Sequence, residues 1–181
     1  MFKEFNLENL EDSKNLLEVF LDENRKKVNE LLEIEKKTYK NFVQPFQEIG
    51  ESIGNFLTPI FHIDSVKNSE ITTKVYEECL PIISKYETEI SQNYNIYISL
   101  KDIQCNEKTS LNDIQNKVLE NEIRDFKLSG CHLENNKKKR LEEINLTLSE
   151  LSHKFSLNLL NATNDFEMVI DNFEDVKEVP K

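Results

Sequence analysis

Only three glycines and four prolines occur in this chain of 181 residues, so little in the sequence stops a helix once it has begun. Glycine and proline are the residues that most disfavour a helix interior. Apolar residues also recur every three or four positions over most of the length, which is the pattern of helices with one apolar face. The sequence therefore predicts an all-α fold of about five long amphipathic helices in an antiparallel, bundle-like lobe.

Apolar periodicity and capping residues place the predicted helices. They run approximately over residues 7–37, 38–61, 70–102, 110–129 and 135–161. Ser69 is expected to cap the third helix, and Ser110 with Asp113 resembles a capping box for the fourth. Gly130 is expected directly after the fourth helix, because glycine adopts the left-handed conformation that often follows a helix end.

Prolines and polar segments mark the predicted breaks. Pro59 is expected to end or kink the second helix, and residues 61–68 are predicted to form a connector. Pro81 lies inside the third predicted helix and is expected to kink it near Cys79. Residues 104–108 are predicted to form a loop.

The C-terminal part of the chain departs from the helical pattern. Residues 166–170 alternate loosely between polar and apolar, which is compatible with one short strand, and residues 171–181 are acidic without a core face. We therefore expect a helical lobe at 1–165 and a short strand with an acidic linker at 166–181. The fifth helix, which precedes this segment, is predicted to bury a core stripe formed by Leu141, Ile144, Leu148, Leu151, Phe155 and Leu159.

Charge and cysteine content argue against several functions. The net charge of −11 repels phosphate backbones and anionic lipids, so neither nucleic acid nor a membrane is expected as a partner. No apolar run approaches the roughly 20 residues of a membrane span, and no signal peptide is visible. Cys79, Cys105 and Cys131 match no disulfide framework or metal knuckle, which favours reduced thiols. A cytoplasmic protein is expected.

No residue pattern indicates a self-contained active site. The histidines, His62, His132 and His153, are not paired at a ligand spacing such as i, i+4. His62 is expected to cap or pack in a connector, and His153 to be a partly exposed helix residue. No nucleophile elbow occurs, and three glycines cannot build a phosphate-binding loop. The chain alone is therefore predicted not to be an enzyme, with no catalytic, cofactor-binding or metal-binding residue.

Short motifs, taken in order, resemble the N-terminal part of a known family. They include H-x-x-S-V-K-N-S and R-D-F-x-L-S-G, and they lie at His62–Ser69, Cys79–Thr88, Arg124–Gly130, Leu148–Asn158 and Leu160–Thr163. Their order and spacing resemble oligopeptidase A-like members of the thimet oligopeptidase family of zinc metallopeptidases, which includes neurolysin and dipeptidyl carboxypeptidase. The resemblance covers Phe61–Ile103 and Val118–Ile170, and the first helix matches mainly in pattern.

The resemblance implies a largely helical parent enzyme whose two lobes flank a deep channel that admits short peptides. It also implies zinc, bound by a His-Glu-x-x-His helix and a further glutamate, none of which lies in this chain. The chain would then be the non-catalytic N-terminal lobe that forms one wall of the channel. Its partner would be the catalytic C-terminal part of the same polypeptide.

A free-standing helical bundle that acts as an adaptor or scaffold is the alternative. Apolar stripes indicate packing under both hypotheses, so the stripes alone do not distinguish a peptidase lobe from an adaptor. An exposed apolar face distinguishes the two hypotheses, because a lobe that packs on a further part of its polypeptide keeps apolar residues that a free-standing domain would have replaced.

Overall fold

The computed structural model describes residues 10–177. Within that range, six α-helices account for most of the chain, and no strand occurs. The helices are α1 (Ser13–Leu32), α2 (Gln44–Val66), α3 (Glu70–Ser91), α4 (Tyr94–Glu107), α5 (Asp113–Leu128) and α6 (Asn135–Asn164). Short helical turns occupy Leu10–Asp12 and Phe173–Asp175, and a π-helical segment at Tyr39–Val43 leads into α2. The prediction of an all-α fold is confirmed.

The predicted connector at residues 61–68 is wrong, because α2 continues through Pro59 to Val66. Leu57 and Ile60, on either side of that proline, are only 6% and 4% exposed. The free energy gained by their burial offsets the loss of the hydrogen bond that proline removes from a helix interior. α3 likewise runs through Pro81, and the kink near that residue stays a prediction.

The third predicted helix is two helices in the structure. α3 ends at Ser91, and the Asn93 side chain accepts hydrogen bonds from the backbone N–H groups of Asn95 and Ile96, at 3.0 and 3.3 Å, to begin α4. Apolar residues recur across this break, so the periodic pattern alone did not reveal it. α4 then extends to Glu107, and the loop predicted at residues 104–108 is therefore also wrong.

Capping residues were predicted with mixed success. Ser69 caps α3 as expected, because its hydroxyl accepts a hydrogen bond from the backbone N–H of Thr72 at 3.2 Å. α5 is capped by Asn112, which pairs reciprocally with Gln115, rather than by Ser110. Gly130 follows the end of α5 with a φ of +79°, as predicted, and a side chain there would also collide with a neighbouring leucine.

Two clusters of buried apolar residues form the core. The first joins α1, α2 and α3 through Leu17, Leu21, Leu57, Ile60, Val75, Cys79, Ile83 and Tyr86. The second joins the end of α1 to the π-helical segment, α4 and α5 through residues such as Val28, Phe42, Ile96, Leu100, Leu119 and Phe126. Ile53 of α2 and Ile90 of α3 pack against both clusters, which makes the core continuous.

The core stripe predicted on α6 is not buried. α6 packs along α3, but it contributes no buried residue. Ile144 is 39% exposed and Phe155 is 70% exposed, and only Leu141 of the predicted stripe is half-buried. Periodicity shows that a helix has an apolar face. It does not show whether that face is covered by other residues in the range 10–177 or by a protein segment outside it.

The strand predicted at Phe166–Ile170 is also wrong. These residues form neither helix nor strand, and Phe166, Met168 and Val169 are exposed. A strand needs a neighbouring strand for its hydrogen bonds, and residues 10–177 contain none. No helix in the described range is long and apolar enough to cross a membrane.

Asn24, in the middle of α1, gives a stability prediction. Its side chain is 0% exposed, and neither side-chain polar atom has a hydrogen-bond partner within residues 10–177. We expect Asn24→Leu, which has a similar volume, to raise the free energy of unfolding by about 1–3 kcal/mol, because unpaired buried polar groups are costly. Urea denaturation measures the change.

Asn29 provides the matched control, because it lies exposed on the same helix. Asn29→Leu is expected to change the unfolding free energy by less than about 0.5 kcal/mol. Unchanged or lower stability in Asn24→Leu would mean that Asn24 is paired in solution.

Candidate functional site

A cleft of about 620 Å³ lies between the end of α2, the first half of α3 and the second half of α6. We name it the α2–α3–α6 cleft. Aliphatic side chains from α3 and α6 form its walls, among them Leu80, Leu148 and Leu160. Polar groups also line it, including the carboxylate of Asp64 and the imidazole of His153.

Asp64 holds the end of α2 against the start of α3. Its Oδ1 atom accepts hydrogen bonds from Asn68 Nδ2 at 2.9 Å and from the hydroxyls of Thr72 and Thr73, both at 3.0 Å. The residue is only 7% exposed, so its charge is largely removed from water and needs these donors. All three of these bonds end on Oδ1, so they leave the acceptor positions of Oδ2 unused.

His153 of α6 stacks on Tyr76 of α3, with ring centroids 4.2 Å apart and an angle of 15° between the planes. Phe61 contacts the same tyrosine, at 4.6 Å between centroids. Burial, and to a smaller extent the nearby Asp64 carboxylate, raises the pKa of Tyr76. The aromatic contacts therefore join all three helices of the cleft.

The imidazole of His153 is more buried than its position beside an apolar stripe suggested. Its side chain is 10% exposed, and Nε2 has no hydrogen-bond partner within residues 10–177. The nearest carboxylate oxygen, Glu77 Oε1, is 3.7 Å away, which is too long for a hydrogen bond. No sequence signal showed this burial, because it depends on a contact between α3 and α6.

The other two histidines do not line the cleft. His62 is an exposed residue of α2, so the expectation that it packs or caps in a connector is wrong. His132 is exposed in the turn that follows α5. Within residues 10–177, no three histidine, cysteine, aspartate or glutamate side chains are grouped as metal ligands would be.

A second feature is an exposed apolar surface along α6. We name it the α6 apolar surface, and it consists of Ile144, Leu148, Leu151, Phe155 and Leu159, which are 39–70% exposed. The segment that follows α6 adds further exposed apolar residues, among them Phe166 and Met168. Aligned exposed apolar residues on one helix indicate a surface that packs on another protein segment. Leu148 also lines the α2–α3–α6 cleft, so the two features adjoin.

Comparison with known proteins assigns the amino-acid sequence to a family. The sequence model described as "Neurolysin/Thimet oligopeptidase, N-terminal domain" matches residues 17–138, which is more than half of the chain. The chain belongs to the neurolysin/thimet oligopeptidase family. The matched range of this N-terminal domain contains most of α1, all of α2 to α5 and the first residues of α6.

Relatives within the family are oligopeptidases. Oligopeptidase A of Haemophilus influenzae is 34% identical over 168 residues, which cover 91% of this chain and 24% of the relative. Oligopeptidase A of Escherichia coli is 34% identical over 145 residues, which cover 80% of this chain and 21% of the relative. The probable cytosolic oligopeptidase A of Arabidopsis thaliana is 30% identical over 83% of this chain and 22% of its own length. The chain thus spans about a quarter or less of these relatives.

The cysteines of this N-terminal domain give a prediction about reactivity. Cys79 and Cys131 are buried, Cys105 is exposed, and all three are free. Burial raises the pKa of Cys79 to about 11 and also raises that of Cys131. Because the thiolate is the reactive form, we expect dithiobisnitrobenzoate to label Cys105 rapidly at about pH 8 in the folded protein, and the other two only after denaturation.

Cys105→Ala is the control for this measurement. It should remove the rapid phase and leave the slow labelling unchanged. Rapid labelling of the Cys105→Ala variant would show that α3 or the turn after α5 opens far more readily than its burial indicates.

Proposed function

We propose that the chain is the non-catalytic N-terminal lobe of a zinc-dependent oligopeptidase that hydrolyses short peptides, and that it forms one wall of the substrate channel. Membership of the neurolysin/thimet oligopeptidase family supports this proposal, as does the similarity to the oligopeptidases A of Haemophilus influenzae and Escherichia coli. The parent protein would be the hydrolase, and the lobe would shape access to its catalytic centre.

The α6 apolar surface is the observation that carries the proposal. Its side chains are exposed although they recur at the three- and four-residue spacing of a helix face that is normally buried. Burying apolar area is worth roughly 25 cal/mol per Å², so a surface of this kind favours contact with another apolar surface. We propose that the catalytic C-terminal part of the same polypeptide provides that contact.

Residues 1–165 would form the lobe, and residues 166–181 would lead toward the catalytic part. The exposed Phe166, Met168 and Val169 support this division, because they belong to neither core cluster of the described residues. They are expected to pack on the catalytic part together with the α6 apolar surface.

Zinc would be held outside this chain. The described residues include no group of three or more histidine, cysteine, aspartate or glutamate side chains suited to a metal ion, and His62, His132 and His153 lie on separate parts of the fold. The side chains present therefore do not fit the ion, and no chemical step is assigned to them. Short peptides would be substrates of the whole enzyme.

The alternative function is a free-standing helical adaptor or scaffold. The observation that favours it is a core that closes without further segments, since two joined clusters bury apolar residues of α1 to α5. The α6 apolar surface would then bind a separate protein instead of a further part of the same chain. A cytoplasmic location is proposed under both hypotheses, and cell fractionation tests it.

An exchange experiment tests the proposed function. Residues 1–165 of this chain replace the aligned segment of Escherichia coli oligopeptidase A, and hydrolysis of a quenched fluorescent peptide is measured with and without a zinc chelator. We expect chelator-sensitive hydrolysis by the joined protein and none by the 181-residue chain alone. Stoichiometric zinc and turnover in the chain alone would overturn the proposal.

Substitutions on α6 test the inter-lobe contact. In the joined protein, Leu151→Glu and Phe155→Glu are expected to lower the thermal midpoint and the peptidase activity, because each places a charge in an apolar contact. In the chain alone they should change the midpoint little, since these residues are 57% and 70% exposed there.

Val19 supplies the matched control, because it is 61% exposed on α1. Val19→Glu adds the same charge to another exposed apolar position and should leave the joined protein nearly unchanged. Equal effects of Val19→Glu and Phe155→Glu would favour the adaptor hypothesis, because α6 would then make no special contact with the catalytic part.

A further inference from the structure

We propose that the α2–α3–α6 cleft binds the arginine or lysine side chain of a peptide. The inference rests on the proposed function only for the source of the ligand, a short peptide. The site itself is defined by the burial and charge of the side chains that line the cleft.

Charge selects the ligand class. Asp64 is the one formally charged aspartate, glutamate, lysine or arginine among the described residues that line the cleft. It is 7% exposed, and any ligand that fills the cleft removes its carboxylate further from water. An anionic ligand would be repelled, and an apolar ligand would leave the carboxylate without an opposite charge, whereas a guanidinium or ammonium group supplies charged donors.

The shape and lining of the cleft fit the rest of such a side chain. Leu80, Leu148, Leu157 and Leu160 supply aliphatic surface, against which the methylene groups of arginine or lysine can pack. The hydroxyls of Ser65, Ser152 and Ser156 are further lining groups that can bind polar atoms. A volume of about 620 Å³ accommodates such a side chain with part of its peptide backbone.

His153 is a second, independent indication of a ligand. Its side chain is nine-tenths buried, it lines the cleft, and its Nε2 atom has no hydrogen bond within residues 10–177. Buried polar atoms without partners are rare and call for a physical explanation. Nε2 itself is closed to solvent, so a peptide amide, which has both a donor and an acceptor, can pair with it in either tautomer once the imidazole turns toward the cleft.

The α6 apolar surface favours apolar residues on either side of the basic residue in the peptide. Leu148 belongs both to this surface and to the wall of the cleft. A peptide whose basic side chain enters the cleft therefore has an exposed apolar surface beside it. Peptides with a basic residue between apolar residues are the expected class.

The test uses the 181-residue chain and two tripeptides, acetyl-Leu-Arg-Leu-amide and acetyl-Leu-citrulline-Leu-amide. Citrulline keeps the size of arginine and removes its charge. Amide chemical shifts are followed by NMR during each titration. We expect saturable shifts at the cleft with the arginine peptide and at least about tenfold weaker binding of the citrulline peptide, because charged hydrogen bonds to a carboxylate are lost. Shifts elsewhere, no shifts, or equal binding of both peptides would overturn the proposal.

Two variants and one control locate the interaction. Asp64→Asn keeps the Oδ1 acceptor and removes the charge, so it should abolish the preference for arginine over citrulline. Ser152→Phe fills the cleft without altering Asp64 and should weaken binding at least about tenfold. Glu150→Gln removes a charge from an exposed position of α6 and should bind as the unmodified chain does. Undiminished binding to Ser152→Phe would overturn the assignment even if Asp64→Asn failed to fold.

The outcome is distinguishable from failure of the proposed function, because binding is measured without hydrolysis. An active joined protein together with no tripeptide binding would remove the cleft site and leave the peptidase lobe intact. Selective tripeptide binding together with an inactive joined protein would support the cleft and not the peptidase lobe.

Discussion

Burial of one face of α3 against α1 and α2 is the interaction on which the rest of the structure depends. Val75, Cys79, Ile83 and Tyr86 are each at most 4% exposed and form the centre of the first core cluster. The adjoining side of the same helix holds α6 by contacts that include pairs of polar groups, such as Ser84 with Ser149 at 3.4 Å. Because α6 contributes no buried residue, this contact removes less apolar surface from water than the contacts of α1 and α2 with α3. A partner on the α6 apolar surface would therefore stabilise α6, which forms one wall of the cleft.

Local sequence signals predicted the helices well wherever a side chain acts on its own backbone. Ser69 caps α3 and Gly130 follows α5 as expected, because a serine hydroxyl and a residue at positive φ act within a few residues. Pro59 misled the prediction, since burial of its neighbours outweighs its local cost. The apolar stripe of α6 was recognised but assigned to the core, because a periodic pattern contains no information about the partner that covers it.

The α2–α3–α6 cleft could not be predicted from the sequence at all. Asp64, Tyr76 and His153 belong to three helices, and no fixed spacing relates them. Each has an ordinary explanation when it is considered alone: an aspartate near a helix end, an aromatic residue beside an apolar stripe, and a histidine on a helix. Their common location follows from the packing of α6 on α3, because that packing determines which side chains meet.

The two proposals constrain each other through Leu148, which lies at the border of the cleft and the α6 apolar surface. If the catalytic part covered all of that surface, it would also narrow the entrance to Asp64. A basic peptide can reach the carboxylate only if the cover is centred on the edge of the stripe farther from the cleft, toward Leu151, which lies about 60° round the helix from Leu148. Leu148 would then mark the edge of the inter-lobe contact, and the cleft would open at that edge, where a channel wall meets its substrate.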